Sequence, residues 1–178
     1  MNKVKEDLDA TMANIINLPI SRWQEYKEIR LRALKDDPQA FFSSHRKEVE
    51  YPDVKWQERL QSVVDGNGWT VFAEIDSQLV GMLGAYQKGN DRKEGAVNVF
   101  GVFVAKEARG KGVAFKMMEK LLEQLKQAGI IMAKLTVNEN QSAAVALYKK
   151  LKFKVTGQES LVLGDGIKHI ELIMEKKL

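Results

Sequence analysis

The stretch Val97-Asn98-Val99-Phe100-Gly101-Val102-Phe103-Val104-Ala105-Lys106-Glu107-Ala108-Arg109-Gly110-Lys111-Gly112-Val113-Ala114 decides how the rest of the chain is read. Val97, Val99, Val102 and Val104 are β-branched, and Phe100 and Phe103 stand among them. A run this apolar predicts a central strand covered on both faces. Arg109-Gly110-Lys111-Gly112 ends it. Beyond, apolar side chains recur at Ala114, Met117, Met118, Leu121, Leu122 and Leu125, the stripe of an amphipathic helix. The first turn of such a helix has N–H groups without internal partners, and the helix dipole adds positive charge there. Glycines let an anion approach the backbone closely, and Arg109 and Lys111 add full charges. The unit therefore offers a phosphate cradle. It suits a plain strand-to-helix turn as well, because short glycine motifs are weakly specific.

Working outward, the N-terminal side supplies hairpins and helices. Residues 1–13 form a charged extension, and residues 14–178 form a single domain, since no linker or internal repeat divides them. Ile15-Ile16-Asn17-Leu18, closed by Pro19, predicts a first strand. Ser21 and Gln24 have capping-box spacing, which predicts a helix from there to about Leu34. Ser43 or Ser44 caps a second helical region that breaks near Tyr51-Pro52-Asp53 and restarts through Trp56, Leu60 and Val63. Two strands follow, Trp69–Ile75 and Gln78–Tyr86, joined by Asp76-Ser77. Lys88–Gly95 reads as a polar surface connection into the opening strand. On the C-terminal side, Gly129 suits a helix C-cap. A strand over Ile130–Val137, a helix through Ala144, Leu147, Tyr148 and Leu151, and two strands around Gly164-Asp165-Gly166 close the chain. Hairpins mixed with β–α–β crossovers give an α/β (α+β) class: a mixed, mostly antiparallel central sheet flanked by helices.

Bulk properties narrow the function. The chain has 178 residues, 44% hydrophobic and 29% charged, ordinary for one globular domain. No apolar run is long enough for a membrane span, and no secretory leader is visible, so a cytoplasmic location is expected, with no membrane partner. The absence of cysteine removes disulfides, thiolate metal sites and a cysteine nucleophile. His45 and His169 lack metal-ligand spacing, so no metal is expected. The net charge is +4 and the pI near 9.1. Its lysines are dispersed among acids, the pattern of a solvated surface rather than of a nucleic-acid footprint.

Three phosphate-binding patterns can be compared with the loop. A nucleoside-triphosphate P-loop fails, because Lys111 precedes Gly112 and no Ser or Thr follows. A dinucleotide fingerprint fails, because Phe115 occupies its third glycine position. Arg109-Gly110-Lys111-Gly112-Val113-Ala114, however, resembles Arg/Gln-x-x-Gly-x-Gly/Ala, the pyrophosphate loop of the GCN5-related N-acetyltransferases (GNAT family). Val102-Phe103-Val104 resembles the family strand that lies along the pantetheine arm of acetyl-CoA. Asn138 to Asn140, then Ala144-Val145-Ala146-Leu147-Tyr148-Lys149-Lys150-Leu151-Lys152-Phe153, is similar to the family's second fingerprint. Arg30 to Phe41 and the ending Asp165-Gly166…Glu171-x-x-Met174 resemble a common bacterial subgroup.

The resemblance implies a GNAT-like acyl-CoA N-acyltransferase fold and an acyltransferase with acetyl-CoA as cosubstrate. It would move an acetyl group to a primary amine of a small molecule or a peptide by direct attack. Cosubstrate-binding residues would be Val102, Phe103, Val104, Arg109, Gly110, Lys111, Gly112, Val113, Ala114 and Tyr148. Tyr148 would also be catalytic, by hydrogen bonding to the leaving sulfur. Asn138, Asn140 and Gln141 each remain open for the fingerprint's Asn position. A homodimer is compatible with this reading. Two departures stand out. Lys152 replaces the family's glycine, which predicts a reshaped turn. Asn98 stands where the subgroup often has an acid, and Asn is no general base. Glu74, Asp91, Glu94 and Glu171 are the acids placed by the pattern to help instead. The missing base also leaves room for a non-catalytic acyl-CoA-binding domain.

Overall fold

The opening strand, β4, spans Ala96–Val104. Around it the computed structural model, which describes residues 13–178, builds one seven-stranded sheet. The expected N-terminal extension lies outside the described residues except for Ala13, which is buried. The other strands are β1 (Asn14–Ile16), β2 (Trp69–Ile75), β3 (Gln78–Tyr86), β5 (Met132–Asn138), β6 (Lys154–Val162) and β7 (Lys168–Lys177). Their order is β1-β2-β3-β4-β5-β7-β6. Only β4 and β5 run parallel, so the mixed, mostly antiparallel sheet expected from the pattern is what forms.

Helices cover both faces. α5 (Val113–Gln127) buries Met117, Met118, Leu121 and Leu125, the stripe read from the sequence. It seats closely because β3 has Gly81 there: a Cβ would lie 2.8 Å from Met117 Cε. α6 (Ser142–Lys150) lies beside α5, with Lys150 Nζ 4.9 Å from the Phe115 ring centroid. The opposite face takes α1 (Trp23–Asp36), whose Tyr26 meets Phe72 of β2 edge-on at 5.9 Å. α2 (His45–Glu48) and α3 (Asp53–Val64) back α1. Buried Glu48 joins the three helices: it accepts hydrogen bonds from Arg30 at 2.8 Å and from Arg59 at 2.8 Å. Burial opposes its ionisation, but the two guanidinium groups prevail and bring its carboxyl down to about 2. No helix among the described residues is long and apolar enough to cross a membrane.

Several local expectations need correction. The Ser21–Gln24 capping box does not form. Pro19 instead starts a tight turn over Ile20–Arg22, and α1 begins at Trp23 with no side-chain cap. Ser44, rather than Ser43, caps α2, its hydroxyl accepting from Lys47 N. The polar connection before β4 contains one helical turn, α4 (Asp91–Glu94), and buries Asp91. The turn after α6 is not reshaped. Lys152 adopts φ +69°, Lys152 N donates to Lys149 O, and Phe153 N donates to Tyr148 O. That is the glycine-type helix ending, made here by a lysine in left-handed backbone.

Two irregularities of β4 create the site. Phe103 pairs with Met82 and Phe100 with Gly84, so Gly101 and Val102 together oppose Leu83: a bulge, with Gly101 at φ +66°. On its other edge β4 pairs with β5 only through Ala96–Asn98 and Met132–Lys134. Past Asn98 the two strands part.

Candidate active site

The parted strands enclose a cleft of about 650 Å³. Val99–Val104 of β4 forms one wall and Leu135–Asn138 of β5 the other, while the loop before α5 and the start of α6 close it on one face of the sheet. All the residues that the resemblance nominated line this cleft except Lys111: Val102, Phe103, Val104, Arg109, Gly110, Gly112, Val113, Ala114, Asn138, Asn140, Gln141 and Tyr148. Residues far apart in sequence are thus brought together by the β4–β5 split.

The loop has the geometry of an anion cradle. Gly110 and Gly112 take φ +74° and +76°, and a Cβ at either would meet nothing within 4 Å. The first helical bond of α5 runs from Lys116 N to Gly112 O at 3.1 Å. The amides between them precede the helical ladder, as an anion site requires. The group these residues fit is therefore a phosphate-bearing one. Arg109 differs from the expectation of a forward-facing cation: its Nε donates to Val104 O at 2.8 Å and its guanidinium pairs with Asp37. Its side chain ties the loop to β4 and to the segment after α1.

Tyr148 is buried, and its ring meets Phe153 edge-on with centroids 6.0 Å apart. Burial raises its phenol above the ordinary tyrosine value, which keeps the proton on the oxygen. Asn138 is buried too, and its side-chain oxygen accepts from Asn140 N at 2.9 Å. Among the three open positions, Asn138 therefore shapes the loop, while Asn140 and Gln141 lead into α6.

The acids separate clearly. Glu74 pairs with Arg22 at 3.0 Å. Glu94 lies 3.4 Å from Lys134. Asp91 accepts from Asn98 Nδ2 at 2.6 Å and from Lys88 N at 2.8 Å. Asn98 is thereby held as a structural amide outside the cleft lining. Glu171 of β7 alone among these four lines the cleft. It is 4% exposed, and its Oε1 is buried without a hydrogen-bond partner. Burial pushes its carboxyl up to about 7; His169 opposes the shift and Glu159 adds to it.

No pattern in the sequence assigns Leu135, Thr136 or Val137 of β5 to the site, yet all three line the cleft beside the nominated Asn138. Only the parallel β4–β5 pairing and its early end could have revealed them. Nor could the pattern rank Glu171 above the other acids, because the ranking depends on which carboxylates find cationic partners. Among the large aromatic side chains, Trp56 and Phe41 belong to the core, while Tyr86 packs edge-on against cleft-lining Phe100 at 5.2 Å.

Comparison with known proteins agrees with this geometry. L-2,4-diaminobutyric acid acetyltransferase of Vibrio cholerae is 33% identical over 81 residues, covering 46% of this chain and 46% of that protein. Human N-acetyltransferase 8 is 32% identical over 87 residues, 48% of this chain and 38% of that protein. The matches thus span less than half the length of these curated relatives. The fold is shared with the ribosomal-protein-alanine N-acetyltransferase of Brucella melitensis, at a TM-score of 0.80 and 18% identity over 93% of this chain and 99% of that one. It is shared as well with a phosphinothricin acetyltransferase from Sinorhizobium meliloti in complex with AcCoA, at a TM-score of 0.78 and 18% identity over 94% and 89%. Residues 31–153, which hold both fingerprints and the cleft's two walls, match the acetyltransferase (GNAT) family, and the chain belongs to that family.

Proposed function

We propose that this protein transfers an acetyl group from acetyl-CoA to a primary amine. The observation that carries the reading is the cleft itself. It runs from an open glycine cradle at the start of α5, along the unpaired edge of β4, to buried Tyr148. The cradle amides would hold the pyrophosphate. The free β4 edge at Val102–Val104 would bond the pantetheine, much as an added strand would. Backbone N–H groups near Phe103 or Val104 would stabilise the oxyanion that develops on the thioester carbonyl. Tyr148 would donate a hydrogen bond to the departing sulfur while keeping its proton, in line with the upward shift of its phenol.

Acceptor candidates come from the relatives: the V. cholerae protein is named for L-2,4-diaminobutyric acid, and the fold neighbours for phosphinothricin and a ribosomal-protein alanine. A thiol-release assay with acetyl-CoA and a panel of these amines, a polyamine and an amino sugar tests the proposal. Amine-dependent thiol release and a product heavier by one acetyl group support it. Binding of acetyl-CoA with no turnover on any amine would instead favour the non-catalytic acyl-CoA-binding role.

A further inference from the structure

Resting on the acetyl-transfer reading, we infer that Glu171, a buried and unpartnered carboxylate on the cleft wall, is the base that deprotonates the acceptor ammonium.

Strand register gives its position. Asn138 pairs with Glu171 and Thr136 with Ile173, so these four side chains share one face of the sheet. Asn98 pairs with Lys134 on the same face, and Phe100 follows two residues along. α5 covers the other face, with Met117 against Gly81, and α6 lies beside it. The cleft therefore passes through the sheet where β4 and β5 part. Cradle and Tyr148 lie toward the α5 side; Phe100, Thr136 and Glu171 stand toward the other.

Glu171 is suited to this task by what surrounds it. On β6 the residue directly opposite is Glu159, also an acid. On its own strand the nearest titratable neighbour is His169, whose Nε2 is engaged with Asp165 at 2.8 Å. On β5 it faces the uncharged Asn138. Among the described residues no Lys or Arg pairs with Glu171, whereas Glu74, Asp91 and Glu94 each have Arg or Lys nearby. A carboxylate held this way attracts an ammonium and can accept its proton. In the step, one N–H bond of R–NH3+ breaks and the proton passes to Glu171. The freed lone pair forms the N–C bond, and the C–S bond breaks with its electrons on sulfur. A second amine proton ends on the coenzyme A thiolate, and Glu171 returns its own to water. The sum is R–NH3+ plus acetyl-CoA giving R–NH–acetyl, coenzyme A thiol and H+.

The test uses the full chain and the panel amine with the highest kcat/KM. For the parent, kcat/KM should rise through a single ionisation near neutral pH. Glu171→Gln should lose that inflection and fall by roughly 100-fold or more. Its residual rate should climb with the amine's own deprotonation. Glu171→Asp should keep the inflection at an intermediate rate. Acetyl-CoA affinity, measured directly, should stay within about 2-fold in both variants, which reports an intact fold and cradle. A Glu171→Gln protein with the parent's rate and pH profile would overturn the assignment while leaving acetyl transfer standing. A parent that binds acetyl-CoA but acetylates no amine would overturn both.

Discussion

Single residues carry the chemistry here through their surroundings more than through their type. Tyr148 illustrates it. An exposed phenol could share its proton with a thiolate, but burial makes ionisation harder, so in the proposed reaction Tyr148 would contribute a hydrogen bond. Tyr148→Phe should therefore lower kcat by roughly 10- to 100-fold with acetyl-CoA affinity nearly unchanged, read by steady-state kinetics and calorimetry. Equal turnover would remove Tyr148 from the chemistry. Glu171 is the opposite case, a carboxyl whose folded value, about 7, lies above its ordinary 4.5. The folded state binds that proton more tightly than the unfolded chain, so its stabilising contribution is complete below about 4.5 and is lost as pH rises through 7. Glu171→Gln carries no such penalty. Relative to the parent it should gain stability between pH 5 and pH 8, by about 2 to 3 kcal/mol, in denaturant titrations at the two pH values. A constant difference would show that the carboxyl is not so perturbed. Lys152, at φ +69°, is in a conformation that disfavours any Cβ by about 1–2 kcal/mol. Glycine relieves that but adds freedom to the unfolded chain. Lys152→Gly should raise stability by about 0.5 to 1 kcal/mol in denaturant titration; a loss would mean the lysine side chain contributes more than its backbone costs.

At the scale of elements, the sequence was most legible where one periodicity ruled. The helical stripe of α5 and the β2–β3 hairpin emerge where the pattern puts them, since burying each apolar side chain favours the same backbone. The hairpin turn even uses Asp76 and Ser77 at φ +49° and +63°, tolerated because their strands fix the register. Illegible were the features set by tertiary partners: the Arg22 start of α1, tied to Glu25 and Glu74, the Arg30–Glu48–Arg59 cluster, and the Asp91–Asn98 pair. Each needs residues 7 or more positions apart, apart from Arg22–Glu25, and no local rule connects them. The cradle lies between these cases. Its glycines are readable, but Arg109 turns back on Asp37 and Val104, which leaves backbone amides as the main anion donors. Gly112→Val tests that. The open space before Gly112 would be filled and its φ of +76° strained, and acetyl-CoA affinity should fall by about 10-fold or more. Unchanged affinity would place the phosphates elsewhere.

For the whole molecule, the decisive property is that the sheet is nearly two sheets. β1-β2-β3-β4 and β5-β7-β6 meet through only the short Ala96–Asn98 and Met132–Lys134 ladder. Beyond it the cleft replaces strand pairing, so the unpaired edges of β4 and β5 are spared for a ligand. Acetyl-CoA bound between them would complete a mixed layer and couple the two halves. Bound at about 100 times its dissociation constant, a ligand specific to the folded state adds about 2.7 kcal/mol. For a chain of this size that is a rise in Tm of roughly 5–10 °C. Hydrogen exchange locates the effect: protection should increase in both Val99–Val104 and Leu135–Asn138, the two walls of the cleft, and not at the Asp76–Ser77 turn, which lies outside the cleft lining. Thermal stabilisation with new protection confined to the start of α5 would show that the cosubstrate grips only the cradle. The split between β4 and β5 would then belong to the acceptor alone.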